Sequence, residues 1–309
     1  MIKREIVDLI TDTSRIDEVV GDFVNLKKRG SNLIGLCPFH NEKTPSFNVN
    51  PSRNIYKCFG CGKGGDSVSF IMEHEQASYP EALRYLAGKY NIEIEEDDQS
   101  PERTAEELLR ESLWSVTSFA QKFFADQLTG TDEGQSVGVS YFRERDISDH
   151  SIDKFQLGYS PDAWSALTDA ALAAGYKKEY LEKAGLTIVK ENKQYDRFRG
   201  RVIFPIHSVA GKVIGFGART LRKDPKIPKY VNSPESEIYH KSKVLYGIYF
   251  AKKSISQQDE CFLVEGYTDV ISMHQSGVEN VVASSGTALT PDQIRLISRY
   301  TKNVTVLFD

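Results

Sequence analysis

Cys37-Pro-Phe-His40 and Cys58-Phe-Gly-Cys61 are the pair of short runs on which the fold turns. Each places two soft ligands three residues apart, so that one tight turn aims both at the same ion. Seventeen residues separate His40 from Cys58, enough for a hairpin that brings the two turns together. Three cysteines and a histidine in a closed tetrahedral set describe a structural zinc site, because four good ligands leave no position open for water. A thioredoxin-like redox pair would account for Cys58 and Cys61 but needs a βαβ context and leaves Cys37 and His40 idle. Disulfides would need an export signal, and Met1-Ile-Lys-Arg-Glu-Ile-Val-Asp8 has no apolar core of secretory length. The fourth cysteine, Cys261, lies in an apolar strand-like run without a sulfur neighbour. His74, His150, His207, His240 and His274 show no paired metal spacing and read as surface or packing residues.

At 309 residues the chain has room for two or three domains with substantial cores. Its 40% apolar and 27% charged residues are ordinary for a soluble globular protein, and no apolar run reaches the length of a membrane span. The net charge of −4 hides a strong asymmetry. Residues 93–107 carry eight acidic side chains against one arginine, whereas residues 190–243 carry 13 Lys or Arg against 5 Asp or Glu. A basic segment of that kind attracts phosphates.

Outward from the two ligand turns, the N-terminal stretch reads as an amphipathic helix followed by Ile16–Val24 with helical apolar spacing. Ser46–Val49 and Asn54–Lys57 read as strands of a small ribbon. Asp66 stands where a helix N-cap belongs, before the helices Ser67–Glu75 and Tyr79–Lys89. The acidic, proline-containing stretch 94–103 reads as a linker. Thr104–Leu128 is a long helix, and Ser160-Pro161 caps another that runs to Gly175. Val202–Ile206 and Val213–Phe216 form a hairpin around Ala210-Gly211. After Leu245 the order is strand Cys261–Val264, helix Thr268–Ser276, strand Val281–Ala283, helix Pro291–Tyr300 and strand Asn303–Asp309. That alternation implies a parallel sheet with its active residues at the C-terminal strand ends.

Two of those strands end in carboxylates, Glu265 and Asp309. About 5 Å apart at an effective dielectric near 20, they would repel by roughly 3 kcal/mol, a cost that a divalent cation removes. Mg²⁺ is the hard ion that carboxylates and phosphate oxygens favour together. Asp269, one helical turn past Glu265, is placed to support it. Exposed acidic strand ends without a metal are the bland alternative. Arg197, Arg199 and Arg201 recur at every second position, which on a strand makes one row facing phosphates; a solvated strand face is the alternative there. Lys226, Lys229, Tyr230 and Asn232 follow on a loop, with Lys241 beyond, a mixture of cations and an aromatic suited to nucleotides or single strands.

These residues and their order resemble the bacterial replicative DNA primases of the DnaG type over essentially the whole length. The resemblance rests on Glu42-Lys-Thr-Pro-Ser-Phe47, Tyr56-Lys-Cys-Phe-Gly-Cys-Gly62, Gly64-Gly-Asp66, Tyr141-Phe-Arg-Glu-Arg145 and Phe155-Gln-Leu-Gly-Tyr159. It continues through Arg197–Ile206, Gly215–Arg219, Lys229–Glu235, His240-Lys241, Leu245–Gly247, Val264–Asp269 and Ala283–Thr287. Thr268 and Asp146 depart from the family's usual Met and Gly, and neither change removes a charged group.

The resemblance implies an α+β multidomain chain: a zinc-ribbon template-binding domain (1–95), an acidic linker (96–103), the N-terminal part of an RNA polymerase core with a basic groove (104–243), and a partial TOPRIM-type parallel βαβ sheet (244–309). It implies synthesis of short RNA primers on single-stranded DNA from ribonucleoside triphosphates, with Glu265 and Asp309 holding Mg²⁺ or Mn²⁺ and Asp269 assisting. Arg145, Arg197, Arg199, Arg201, Arg219, Lys229, Tyr230, Asn232 and Lys241 would line the path of template and nucleotide. On the ribbon, Lys43, Phe47, Arg53, Tyr56, Lys57 and Lys63 are expected to be exposed and to touch template, with packing of Phe47 and Tyr56 in the sheet as the alternative. The family context further implies a cytoplasmic protein with a monomeric core that meets a replicative helicase through a C-terminal domain. Because the sequence stops at Asp309, just as an apolar strand is completed, it is expected to be a fragment that binds single-stranded DNA and is weakly active or inactive. A TOPRIM phosphodiesterase, or a nucleic-acid-binding module without chemistry, are the competing readings.

Overall fold

The computed structural model describes residues 2–94, 105–190, 193–222, 224, 226–284 and 289–308. The expected linker 96–103 and the expected metal ligand Asp309 lie outside the described residues. Contacts divide the chain into two units. The first is Met1–Arg103 with Lys252–Cys261 and Ile294–Val304; the second is Thr104–Ala251 with Phe262–Gln293 and Thr305–Asp309.

In the first unit, helices α1 (Arg4–Thr13) and α2 (Ile16–Gly21) precede five short strands: β1 (Lys27–Arg29), β2 (Asn32–Gly35), β3 (Phe47–Asn50), β4 (Ile55–Cys58) and β5 (Gly64–Gly65). They pair in sequence order as an antiparallel meander. The alternation of side chains along a strand puts Phe47 and Val49 on the buried face of β3 and Tyr56 and Cys58 on that of β4. The register pairs Phe47 with Cys58 and Val49 with Tyr56, so one ligand is built directly into the core. Helix α3 (Ser67–Glu75) starts at Asp66, whose Oδ1 accepts from the Ser69 N–H at 2.7 Å. Helix α4 (Tyr79–Lys89) starts at Ser78, whose N–H donates to Glu81 at 2.8 Å. Phe70, Ile71, Leu83 and Leu86 of these helices close the core over the sheet.

At the end of α3, His74 and Glu75 are both buried. The His74 Nδ1 lies 3.0 Å from Glu75 Oε1, the Tyr300 hydroxyl donates to the same oxygen at 3.2 Å, and Lys252 pairs with the other oxygen. Burial pushes the Glu75 carboxyl up, but the hydrogen bond from His74 and the Lys252 charge outweigh it and hold it below the ordinary carboxylate range. Burial pushes the His74 imidazole down, so the neutral ring donates to an ionised Glu75.

The second unit begins with the long helix α5 (Ala105–Gly130), a π-turn over Gly134–Val139, and the short helices α6 (Ser140–Arg143) and α7 (Asp149–Lys154). Strand β6 (Gly158–Ser160), helices α8 (Ala166–Ala173) and α9 (Lys178–Lys183), and the hairpin β7 (Thr187–Lys190) and β8 (Lys193–Asp196) follow. Its main sheet is antiparallel, in the order β11-β10-β9-β6, with β9 (Arg201–His207), β10 (Val213–Thr220) and β11 (Tyr230–Asn232). Every residue of β9 is buried, as befits an inner strand covered on both faces. Helix α10 (Ile248–Gln258) leads into β12 (Cys261–Val264), α11 (Tyr267–Gln275), β13 (Val281–Ala283), α12 (Pro291–Ile297) and β14 (Val304–Val306). These strands form a three-stranded sheet in the order β13-β12-β14, with β12 and β13 parallel. The α+β class and the closing βαβ sheet are thus as expected from the sequence.

Two expectations are corrected. The helix expected from Ser160 starts instead at Ala166, because Ser160 ends β6 and pairs with Arg201. Arg197, Arg199 and Arg201 do not form a row: the chain turns at 197–200 between β8 and β9, which belong to different sheets.

Candidate metal centre and nucleotide groove

The donor atoms of Cys37, His40, Cys58 and Cys61 lie within 4.8 Å of one another. The Cys37 and Cys61 sulfurs are 3.8 Å apart, and the Cys58 sulfur is 3.7 Å from His40 Nδ1. A tetrahedron with metal–sulfur arms of about 2.3 Å has edges of that length, so these two distances match those a zinc ion would impose on the set. Local backbone geometry prepares the set. The Phe39 N–H points at the Cys37 sulfur and the Cys61 N–H at the Cys58 sulfur, each at 3.4 Å. Burial pushes the Cys58 thiol up, but the Ser46 hydroxyl and the Cys61 and Gly60 N–H groups outweigh it and bring it down to about 7, toward the thiolate that binds metal. Glu42 supports the same turn: it accepts from the Cys37 N–H at 2.8 Å and the Ser46 N–H at 2.9 Å, and lies 3.2 Å from His40 Nε2. Gly60 has to be glycine, since a Cβ there would come within 2.5 Å of the His40 ring.

Among the ribbon residues expected to meet template, Lys43, Arg53, Lys57 and Lys63 are exposed. Lys57 Nζ donates to the Gly62 carbonyl at 2.6 Å, and Lys63 pairs with Glu73 while lying 4.9 Å over the Phe39 ring. Phe47 and Tyr56 are corrected: they are buried and stack on each other at 5.1 Å, packing the sheet. Phe59, next to the ligand Cys58, is 75% accessible, and sequence reading did not single it out. The signal was available. In a turn whose first and last residues both aim at the ion, the residue after the first ligand faces away.

In the second unit, Arg145, Arg219, Tyr230 and Asn232 converge around aromatic rings to which sequence reading gave no role. The Tyr141 ring lies 4.3 Å from the Arg145 guanidinium carbon and 5.0 Å from that of Arg219. Arg219 Nη1 donates to the Tyr141 hydroxyl at 2.7 Å and lies 3.4 Å from the Tyr230 hydroxyl. One buried ring thus steadies two like charges, each attraction contributing about 0.5–2 kcal/mol. Burial pushes the Tyr141 phenol up, opposed by the charge of Arg219. The Tyr267 hydroxyl donates to Asn232 Oδ1 at 2.7 Å, linking the β11 edge to the start of α11. Gly217 of β10 admits that ring, which a Cβ would meet at 2.4 Å.

Glu265 stands exposed at the C-terminal end of β12, two residues before Tyr267, and among the described residues its carboxylate has no hydrogen-bond or ion-pair partner. Asp269 caps α11, accepting from the Gly266 N–H at 2.9 Å. Lys229 is exposed, and Lys241 is half-buried with its N–H donating to Glu235 at 2.9 Å. The remaining arginines scatter. Arg197 donates to the Gly185 carbonyl at 2.6 Å, and Arg201 is buried, donating to the Pro228 carbonyl at 3.0 Å. Arg199 lies 3.3 Å from Asp162 and 4.9 Å over the exposed Trp164 ring, which sequence reading also missed.

The ribbon and the core each match a known family. Residues 2–102 match the CHC2 zinc finger, 123–252 the N-terminal domain of the DNA primase catalytic core, and 262–309 a Toprim-like family. They define a zinc-finger protein with a primase-type catalytic core. The DNA primase of Clostridium acetobutylicum is 43% identical over 310 residues, and that of Halalkalibacterium halodurans is 42% identical over 314. Both alignments take in 100% of this chain, and 50% and 51% of those proteins respectively. The Aquifex aeolicus primase structure, comprising zinc-binding and RNA polymerase domains, is 37% identical with a TM-score of 0.61, covering 98% of this chain and 72% of that one. A DnaG primase catalytic domain solved bound to single-stranded DNA is 37% identical with a TM-score of 0.58, covering 64% and 61%. The chain belongs to the bacterial DnaG-type DNA primase family. It spans about half the length of the curated relatives it matches.

Proposed function

We propose that the protein of which this chain is part synthesises short RNA primers on single-stranded DNA by template-directed nucleotidyl transfer from ribonucleoside triphosphates. The observation that carries this reading is the convergence of Arg145, Arg219, Tyr230 and Asn232 in the unit where Glu265 ends a Toprim-type strand with its carboxylate unpaired. Two guanidiniums on a shared ring make a preorganised clamp for phosphates, which costs no reorganisation as charge develops on a transferring phosphoryl group. Tyr230, 41% accessible beside them, offers a face for a base. Glu265, with Asp309 and with Asp269 assisting, would hold Mg²⁺ or Mn²⁺, which when bound neutralises the attacking and leaving oxygens. The relative solved bound to single-stranded DNA supports that template class. Zinc held by Cys37, His40, Cys58 and Cys61 would keep the ribbon folded, and Lys43, Arg53, Lys57 and Lys63, exposed on it, would touch the template. The family implies the cytoplasm as the setting and the replicative helicase as partner. No helix among the described residues is long and apolar enough to cross a membrane.

The test is labelled ribonucleotide incorporation by the full-length protein carrying Glu265→Gln, an isosteric loss of one carboxylate. Incorporation is expected to fall about 100-fold with template affinity retained. Wild-type rates, or strand cutting in place of incorporation, would overturn the reading.

A further inference from the structure

At the start of α12, Thr290-Pro291-Asp292-Gln293 makes the reciprocal cap open to a threonine and a residue three positions on. The Gln293 N–H donates to Thr290 Oγ1 at 3.2 Å, and the Thr290 N–H donates to Gln293 Oε1 at 3.1 Å. Pro291 fills the first helical position. A glutamate would serve this cap as well as a glutamine does. What glutamine adds is an amide nitrogen, and here it donates away from the helix. Gln293 Nε2 reaches the Lys241 carbonyl at 3.2 Å and the Val244 carbonyl at 2.8 Å. The residue is fully buried. A carboxylate in its place would face two carbonyl oxygens with no hydrogen for either.

The segment held in this way is the short 3-10 turn Lys241–Lys243 and the residue after it. Thr290 Oγ1 donates to the Ser242 carbonyl as well, so the carbonyls of residues 241, 242 and 244 are all bound by one helix cap. From the other side Glu235 accepts from the Lys241 N–H at 2.9 Å, and its second oxygen lies 3.0 Å from His240 Nδ1. Two residues beyond Val244, Tyr246 exchanges backbone hydrogen bonds with Ala283 of β13, at 2.9 and 3.0 Å. All of these residues belong to the second unit. The backbone of the turn is bound on both sides, yet the Lys241 ammonium has no hydrogen-bond or ion-pair partner among the described residues. Lysine is a point charge on a flexible stem, so a fold aims it by fixing the backbone that carries it.

We propose that Gln293 is a positioning residue for nucleotidyl transfer. Through the Lys241 and Val244 carbonyls it fixes the turn that presents the Lys241 ammonium to a phosphate. This rests on the reading of the second unit as a primer-synthesising core. The phosphate belongs either to the template strand or to the incoming triphosphate.

The test compares the full-length protein carrying Gln293→Met, neutral and close in volume, with Lys241→Ala and with the double variant. Two quantities are measured: affinity for a labelled single-stranded deoxyoligonucleotide over a salt series, and KM for ribonucleoside triphosphates in primer synthesis. Lys241→Ala is expected to weaken the ligand it meets about tenfold. Gln293→Met is expected to reproduce most of that loss, and the double variant to lose no more than Lys241→Ala alone, because a lysine that is absent cannot be misplaced. Weaker strand binding, with a log–log salt slope shallower by about 0.7, identifies a template phosphate. A raised KM with strand affinity and slope retained identifies the triphosphate. Thr290→Val, a smaller change that withdraws the bond to the Ser242 carbonyl, is expected to move the same quantity less, and melting midpoints check the fold of each variant. Glu265→Gln in the same assays tests the polymerase reading separately, through incorporation alone. Strand affinity, salt slope and KM all unchanged in Gln293→Met, or a loss that adds in full to that of Lys241→Ala, overturns the proposal.

Discussion

At the end of β9 the His207 ring stacks on Tyr249 at 5.9 Å, meets Phe250 edge-on at 5.1 Å, and has its Nε2 3.1 Å from Gln156 Oε1. Burial pushes this imidazole down to about 4. Because the folded value lies below the ordinary one near 6.5, the neutral ring favours the folded state. That contribution is fully present above about pH 6.5 and is lost as pH falls through 4. The shift corresponds to about 3 kcal/mol, of which about 2 kcal/mol goes between pH 7.5 and 5. Urea unfolding at the two pH values measures it, and His207→Gln is expected to flatten the acid loss; an NMR titration of the ring near 6.5 would contradict the assignment. Single residues were unevenly legible. The clustering of Cys37, His40, Cys58 and Cys61 was plain from spacing, but the burial of Phe47 and Tyr56 was not taken from a pattern that contained it. Once Cys58 must face inward, Tyr56, two residues earlier on the same strand, faces inward with it.

At the scale of elements, local signals told where helices lie but not always what holds their ends. Asp66 is the N-cap read from the sequence, and α3 begins where it stands. Helix α8 has no such local cap. Its first turn is held by Asp196, nearly thirty residues on, whose carboxylate accepts from the Leu167 N–H at 2.8 Å, the Thr168 N–H at 3.1 Å and the Thr168 hydroxyl at 2.6 Å. A cap supplied by a distant strand leaves no mark near the helix, which is why the start was read too early, at Ser160. The arginine spacing at 197, 199 and 201 misled for a related reason: period two is a strand signal only where the chain continues as a strand, and here it rounds a corner between two sheets. Asp196→Ala strips the cap and leaves buried donors unsatisfied, so it is expected to cost about 3 kcal/mol in denaturant unfolding. Asp196→Asn, which keeps one acceptor, is expected to cost less. An Asp196→Ala protein as stable as the parent would show that α8 needs no cap from β8.

Across the whole molecule, the order of ribbon, helical segment, antiparallel sheet and βαβ sheet was legible because each has its own periodicity and turn residues. The grouping of Lys252–Cys261 and Ile294–Val304 with the ribbon was not, since it depends on contacts such as Lys252 and Tyr300 on Glu75, more than 170 residues apart. This division into units makes zinc removal a test of the molecule's architecture. The ligand cluster joins two turns of a meander whose strands are three or four residues long or shorter, too little sheet to stand without a staple. Structural zinc in small modules supplies roughly 10–16 kcal/mol of apparent binding energy, all of it folding energy for the ribbon. The core of the second unit, around Phe204, Phe216 and Phe142, includes none of the ligands. Chelation at neutral pH is therefore expected to abolish hydrogen-exchange protection in β2, β3 and β4 while β9 and β10 keep theirs, and added zinc is expected to restore the loss. Equal loss from β9 and β10 would mean that the two units fold as one, and full protection of the ribbon after chelation would mean that its aromatic core suffices without the metal.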